Sequence, residues 1–115
     1  MTNPALRSRF LNDPPPVRLG NLASSLARVS SCASRPAQHA TVLTLLDECK
    51  HFIEWAGPEA EPDIQPELVR LQVELALWQL RWRRLQSGDS AARDLASTAR
   101  EAADRVLGWS GLLDG

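Results

Sequence analysis

The chain reads as an all-α protein, an antiparallel up-and-down four-helix bundle with an irregular N-terminal lead-in. Three observations predict it. Ile64, Leu68, Leu71, Leu75, Trp78, Trp82 and Leu85 are spaced by alternating steps of four and three, the seam of a helix packed lengthwise on other helices. Proline and glycine gather at Pro14–Pro16, Pro36, Gly57-Pro58 and Gly88, cutting the chain into pieces of helical length. Nothing in the sequence alternates with the period of two that a half-buried strand requires.

Residues 1–15 form the lead-in, and residues 16–115 form a single helical domain. The run Pro14-Pro15-Pro16 disfavours helix before each proline, yet proline suits a helical first turn, so the run is a start signal. A first helix follows over about 16–35, with Leu19, Leu22, Ala23, Leu26, Val29 and Ala33 on its apolar side. Pro36 ends it. The second helix spans about 37–56, with Val42, Leu45, Leu46, Cys49, Phe52, Ile53 and Ala56 together, and Gly57-Pro58 stops it. Asp63 is placed to cap a third helix over about 64–86. Ser87-Gly88-Asp89-Ser90 breaks the chain before a fourth helix over about 91–107. That helix turns Ala92, Leu95, Ala99, Ala102 and Val106 inward and carries the pairs Arg100–Asp104 and Glu101–Arg105 outside. Gly108 and Gly111 loosen the C-terminus. Short connections favour an up-and-down order. The small side chains of the fourth helix would complement Trp78 and Trp82 of the third, making these helices neighbours.

The totals bound function by exclusion. The 115 residues suffice for one domain, with 43% hydrophobic and 23% charged residues, an ordinary balance for a soluble globular protein. A net charge of −1 gives no bulk attraction to nucleic acid or to an acidic membrane. Charge is uneven, however. Residues 1–35 set five arginines against Asp13 alone, whereas Asp47–Glu74 sets eight acids against Lys50 and Arg70. Pairing between helices accounts for this, and docking between opposed patches is the sharper alternative. Two cysteines, Cys32 and Cys49, make no disulfide framework. No apolar run approaches the ~20 residues of a membrane span, and no apolar h-region precedes Pro14. The expected setting is reduced and cytoplasmic.

Candidate chemistry fails on geometry. Glu48-Cys49-Lys50-His51 holds one Glu-x-x-His, but a di-metal bundle site needs a second copy and two more glutamates. Zinc from Cys32, His39, Cys49 and His51 fails because Cys49 and His51 lie about 160° apart on a helix. A histidine phosphotransfer site wants a His-x-x-Lys-Gly-like context, and neither His39-Ala-Thr-Val nor His51-Phe-Ile-Glu supplies it. Serines at 24, 25, 30, 31 and 34 have no base and acid marked beside them. No glycine-rich phosphate loop occurs. The expectation is a non-enzyme with no cofactor and no metal.

What remains is a pattern of contacts. Val69, Val73, Ala76, Leu77 and Leu80 form a second apolar row about 150° around the third helix from the first. A central helix flanked on both sides would bury it; otherwise it is a subunit interface, for a homodimer or another protein. Trp55 falls away from the apolar side of its helix, either covered by a loop or exposed as a binding anchor. Arg81, Arg83 and Arg84 around Trp82 resemble an anion- or nucleic-acid-binding patch. They point in three directions, though, and cations in a last turn offset the helix dipole. The function expected is self-association or protein docking through Val69, Val73, Leu77, Leu80 and Trp55. The alternative is anion binding through the arginines.

Asp13-Pro14-Pro15, Arg18-Leu19-Gly20-Asn21-Leu22-Ala23, Phe52-Ile53-Glu54-Trp55 and Ser110-Gly111-Leu112-Leu113 together resemble a group of small uncharacterised helical proteins of cyanobacteria, over most of the chain. The resemblance implies a soluble accessory protein of a photosynthetic bacterium. It implies no activity, cofactor or catalytic residue.

Overall fold

The computed structural model describes residues 4–84 and 89–112; the expected positions of Leu85, Gln86, Ser87, Gly88 and Leu113 lie outside them. Among the described residues, five α-helices follow one another: α1 (Pro4–Asn12), α2 (Pro15–Ala33), α3 (His39–Ala56), α4 (Gln65–Arg84) and α5 (Asp89–Ser110). Short 3-10 turns at Pro36–Gln38 and Gly57–Glu59 precede and follow α3. Among the described residues there is no strand.

The punctuation acts as its chemistry requires. Pro14 is extended, and Pro15 and Pro16 occupy the first helical positions of α2, where an amide hydrogen would lack a partner. The Arg18 amide then donates to the Pro14 carbonyl at 3.0 Å. Arg35 is driven into extended geometry by Pro36, as the residue before a proline must be. At the start of α4 the Glu61 carbonyl accepts the amides of Ile64 and Gln65 at 2.9 and 3.0 Å. The Gln65 side-chain amide donates to the Ala60 carbonyl at 2.9 Å. A main-chain turn therefore makes this terminus, and the expected Asp63 cap is replaced by it. Gly108 stays within α5, while Gly111 at φ 73° ends it, a left-handed position that suits glycine.

The lead-in is not irregular. Residues Pro4–Asn12 form α1, which packs on α3. Its one buried side chain is Phe10, whose ring stacks on Phe52 at 4.5 Å and meets Trp55 at 5.7 Å. The helix has little apolar pattern of its own, and tertiary contact supplies the stabilisation that propensity lacks. Arg18 fixes its far end. This side chain is buried; Nε and Nη2 donate to the carbonyls of Asp13 and Leu11, each at 2.7 Å, and Nη1 pairs with Glu59 at 2.7 Å. A cation thereby meets the carbonyl end of α1 and ties it to the turn after α3.

The core centres on α2 and α3. Leu22, Leu26 and Val29 meet Val42, Leu46 and Cys49, closed by Leu68 and Leu75 of α4 and Val106 of α5, all with almost no solvent exposure. Helix α5 packs along α2, and α4 packs on α3. The expected adjacency of α4 and α5 is therefore corrected. Their backbones stay apart over nearly their whole length. They meet through side chains, including Arg105–Glu74 at 3.6 Å and a cleft lined by Trp78, Trp82, Ala91 and Leu95. Small side chains let backbones approach closely. The buried Ala99, Ala102 and Ala103 of α5 serve α2, whose Ser30 hydroxyl donates to the Ala96 carbonyl at 2.7 Å.

Candidate protein-interaction surface

Helix α4 carries two apolar rows with opposite fates. On the inner side Leu68, Leu71, Leu75 and Trp82 are buried, and Ile64 and Trp78 are half-buried. Trp82 is fixed in place: its indole N–H donates to the His39 carbonyl at 3.0 Å and its ring stacks on His39 at 4.8 Å. Gln79 is also buried and accepts from Lys50 Nζ at 2.9 Å, so the polar group placed in the seam has a partner. Sequence reasoning missed this pair, because Lys50 lies 29 positions away on another helix and nothing local links the two until the helices pack.

The outer row is solvent-facing. Val69 is 62% exposed, Val73 58%, Leu77 48% and Leu80 46%, and Ala76 between them is exposed as well. Among the described residues one other large apolar side chain, Leu112, is exposed to this degree. The reading of α4 as a central helix covered on both sides is thus excluded: it lies at an edge, supported by α3. The strip from Val69 to Leu80 is about 16 Å long at ~1.5 Å per residue. Its two ends differ in charge. Glu61 and Asp63 are exposed before the helix, and Arg81, Arg83 and Arg84 are exposed in its last turn.

The arginines do not converge on one point. Arg83 lies about 160° around the helix from Arg81 at ~100° per residue, and Arg81 lines the cleft toward α5 beside Asp94. Arg84 falls about 60° from Arg81 at ~100° per residue, so Arg81 and Arg84 share a side that Arg83 does not. All three oppose the negative end of the α4 dipole.

Trp55 leaves the candidate surface. It is 8% exposed, covered by Phe10 from α1 and flanked by His51, whose ring stacks on it at 5.6 Å. The expectation of an exposed aromatic anchor fails because the lead-in folds into a helix that lands there. His51 Nε2 lies 3.4 Å from Asp47, and Nδ1 lies 3.6 Å from Glu54 and makes no hydrogen bond. Cys49 is fully buried, and that burial, with Glu48 nearby, pushes its thiol pKa far up, making it a small hydrophobe without nucleophilic character at neutral pH. Cys32 is half-buried and, like Cys49, a free thiol. Among the described residues no three His, Cys, Asp or Glu side chains gather as metal ligands would, and no helix is long and apolar enough to cross a membrane.

No family model, curated protein or solved structure matches this chain, so the role of the α4 surface is argued from its own residues.

Proposed function

We propose that this is a non-enzymatic helical interaction protein, with α2–α5 as an antiparallel up-and-down bundle. It acts by self-association or protein docking through the outer face of α4. One observation carries the reading: Val69, Val73, Leu77 and Leu80 lie in a continuous row and are each about half exposed or more. Isolated apolar side chains on a surface are ordinary, but a contiguous stripe on one helix marks a contact. Covering the four would contribute a few kcal/mol at ~25 cal/mol per Å², enough for a reversible association. The arginines of the last turn steer and orient a partner in this reading. Free thiols at Cys32 and Cys49 suit a reduced, cytoplasmic setting.

The test is a pair of single substitutions, Val73→Glu and Leu80→Glu. Both side chains already face solvent, so circular dichroism should show unchanged helicity. Light scattering at high protein concentration should show a smaller particle than the wild type. Unfolding of both variants would mean that the stripe belongs to a core, and the reading would be wrong.

A further inference from the structure

Resting on the reading of the outer α4 face as an interaction surface, we infer that its occupant is α4 of a second copy. The two helices cross antiparallel about a two-fold axis that passes between Val73 and Ala76. The spacing is the first argument. Val69, Val73, Ala76 and Leu80 follow steps of four, three and four, which is the seam of a helix pair. All four are exposed on one face. A two-fold interface is reciprocal, so in the antiparallel register Leu80 opposes the partner's Val69 and Val73 opposes the partner's Ala76. Each layer sets a larger side chain against a smaller one, and Leu77 flanks the seam.

Charge selects the direction. The exposed Glu61 and Asp63 lead into α4, and the exposed Arg83 and Arg84 end it. Antiparallel pairing brings Asp63 toward the partner's Arg84 at both ends of the contact. Parallel pairing would set arginine on arginine and acid on acid, and would align the helix dipoles unfavourably. The face is thus complementary to itself in one orientation. Its extent sets the strength: a strip of about 16 Å is at the small end for a specific interface, so the dimer is weak, with a dissociation constant of about 0.1 mM.

Charge reversal on the full chain tests the register, read by sedimentation velocity over a dilution series. The wild type should pass from monomer to dimer as concentration rises. Asp63→Arg and Arg84→Asp should each raise the dissociation constant about tenfold, because each disrupts two symmetric contacts. The double variant should return close to the wild-type value. A wild type that stays monomeric at millimolar concentration overturns the inference. So does a dimer that Val73→Glu dissociates but the double reversal fails to restore; in that case the face is a contact surface and the proposed geometry is wrong. A dimer indifferent to Val73→Glu removes the surface reading itself.

Discussion

Helices α4 and α5 are of similar length, 20 and 22 residues, and each lies against one inner helix, α4 on α3 and α5 on α2, yet their outer sides differ in kind. Helix α5 hides Leu95, Ala99, Ala102, Ala103 and Val106 and shows Arg93, Asp94, Ser97, Arg100, Glu101, Asp104 and Arg105 to water. That is the ordinary polar exterior of an amphipathic helix packed on its own fold. Helix α4 hides Leu68, Leu71, Leu75 and Trp82 just as completely, but exposes Val69, Val73, Leu77 and Leu80. Folding alone does not account for those four. In the proposed reading, the difference separates what folding requires from what is left over for a partner.

Truncation should expose that difference most strongly. Leu75 is fully buried and Leu77 two positions on is 48% exposed. Leu75→Ala should cost about 3 kcal/mol of folding stability through lost burial and the cavity left behind. Leu77→Ala should change it by no more than about 0.5 kcal/mol. Urea unfolding of dilute samples, near ~1 µM to keep association out of the balance, checks both. Equal losses at the two positions would erase the distinction between the faces of α4.

A smaller effect contrasts buried and accessible thiols. Burial, reinforced by Glu48, raises the Cys49 pKa in the folded chain, whereas an unfolded chain ionises it near its ordinary value of about 8.5. A raised acid pKa leaves stability untouched below that value. Above it the unfolded state releases a proton that the folded state keeps, so stability falls, by at most about 1.4 kcal/mol per pH unit. Urea midpoints followed from about pH 7 to about pH 10 should decline for the wild type more steeply than for Cys49→Ala. Parallel declines would show that the thiol ionises equally well in place.

The boundaries of α2, α3, α4 and α5 were largely legible in the sequence, because proline, glycine and a steady apolar spacing each mark the local chain. The two rows of α4 were legible for the same reason. Four features were not, and each depends on elements distant in sequence. Phe10 gives a short polar segment a reason to be helical only once Phe52 and Trp55 are assembled beneath it. Trp55 looked exposed because a helical wheel reports its angle to Val42 on the same helix and is blind to where α1 lands. The alanines of α5 were matched to Trp78 and Trp82 by size, but size complementarity does not say which neighbour uses it; α2 does. The buried Arg18, with three hydrogen bonds to two main-chain carbonyls and Glu59, could not be told from any other arginine in a first turn.

The most direct measurement follows the methyl groups of Val69, Val73, Leu77 and Leu80 by NMR in the presence of a soluble paramagnet. Leu75 serves as the buried control on the same helix. In dilute protein, at ~10 µM, the four should be bleached and Leu75 protected; near ~1 mM the four should become protected as the second copy covers them. Methyls protected at both concentrations would place the row inside the protomer. Methyls bleached at both would mean that no second copy covers it, and either result would contradict the account.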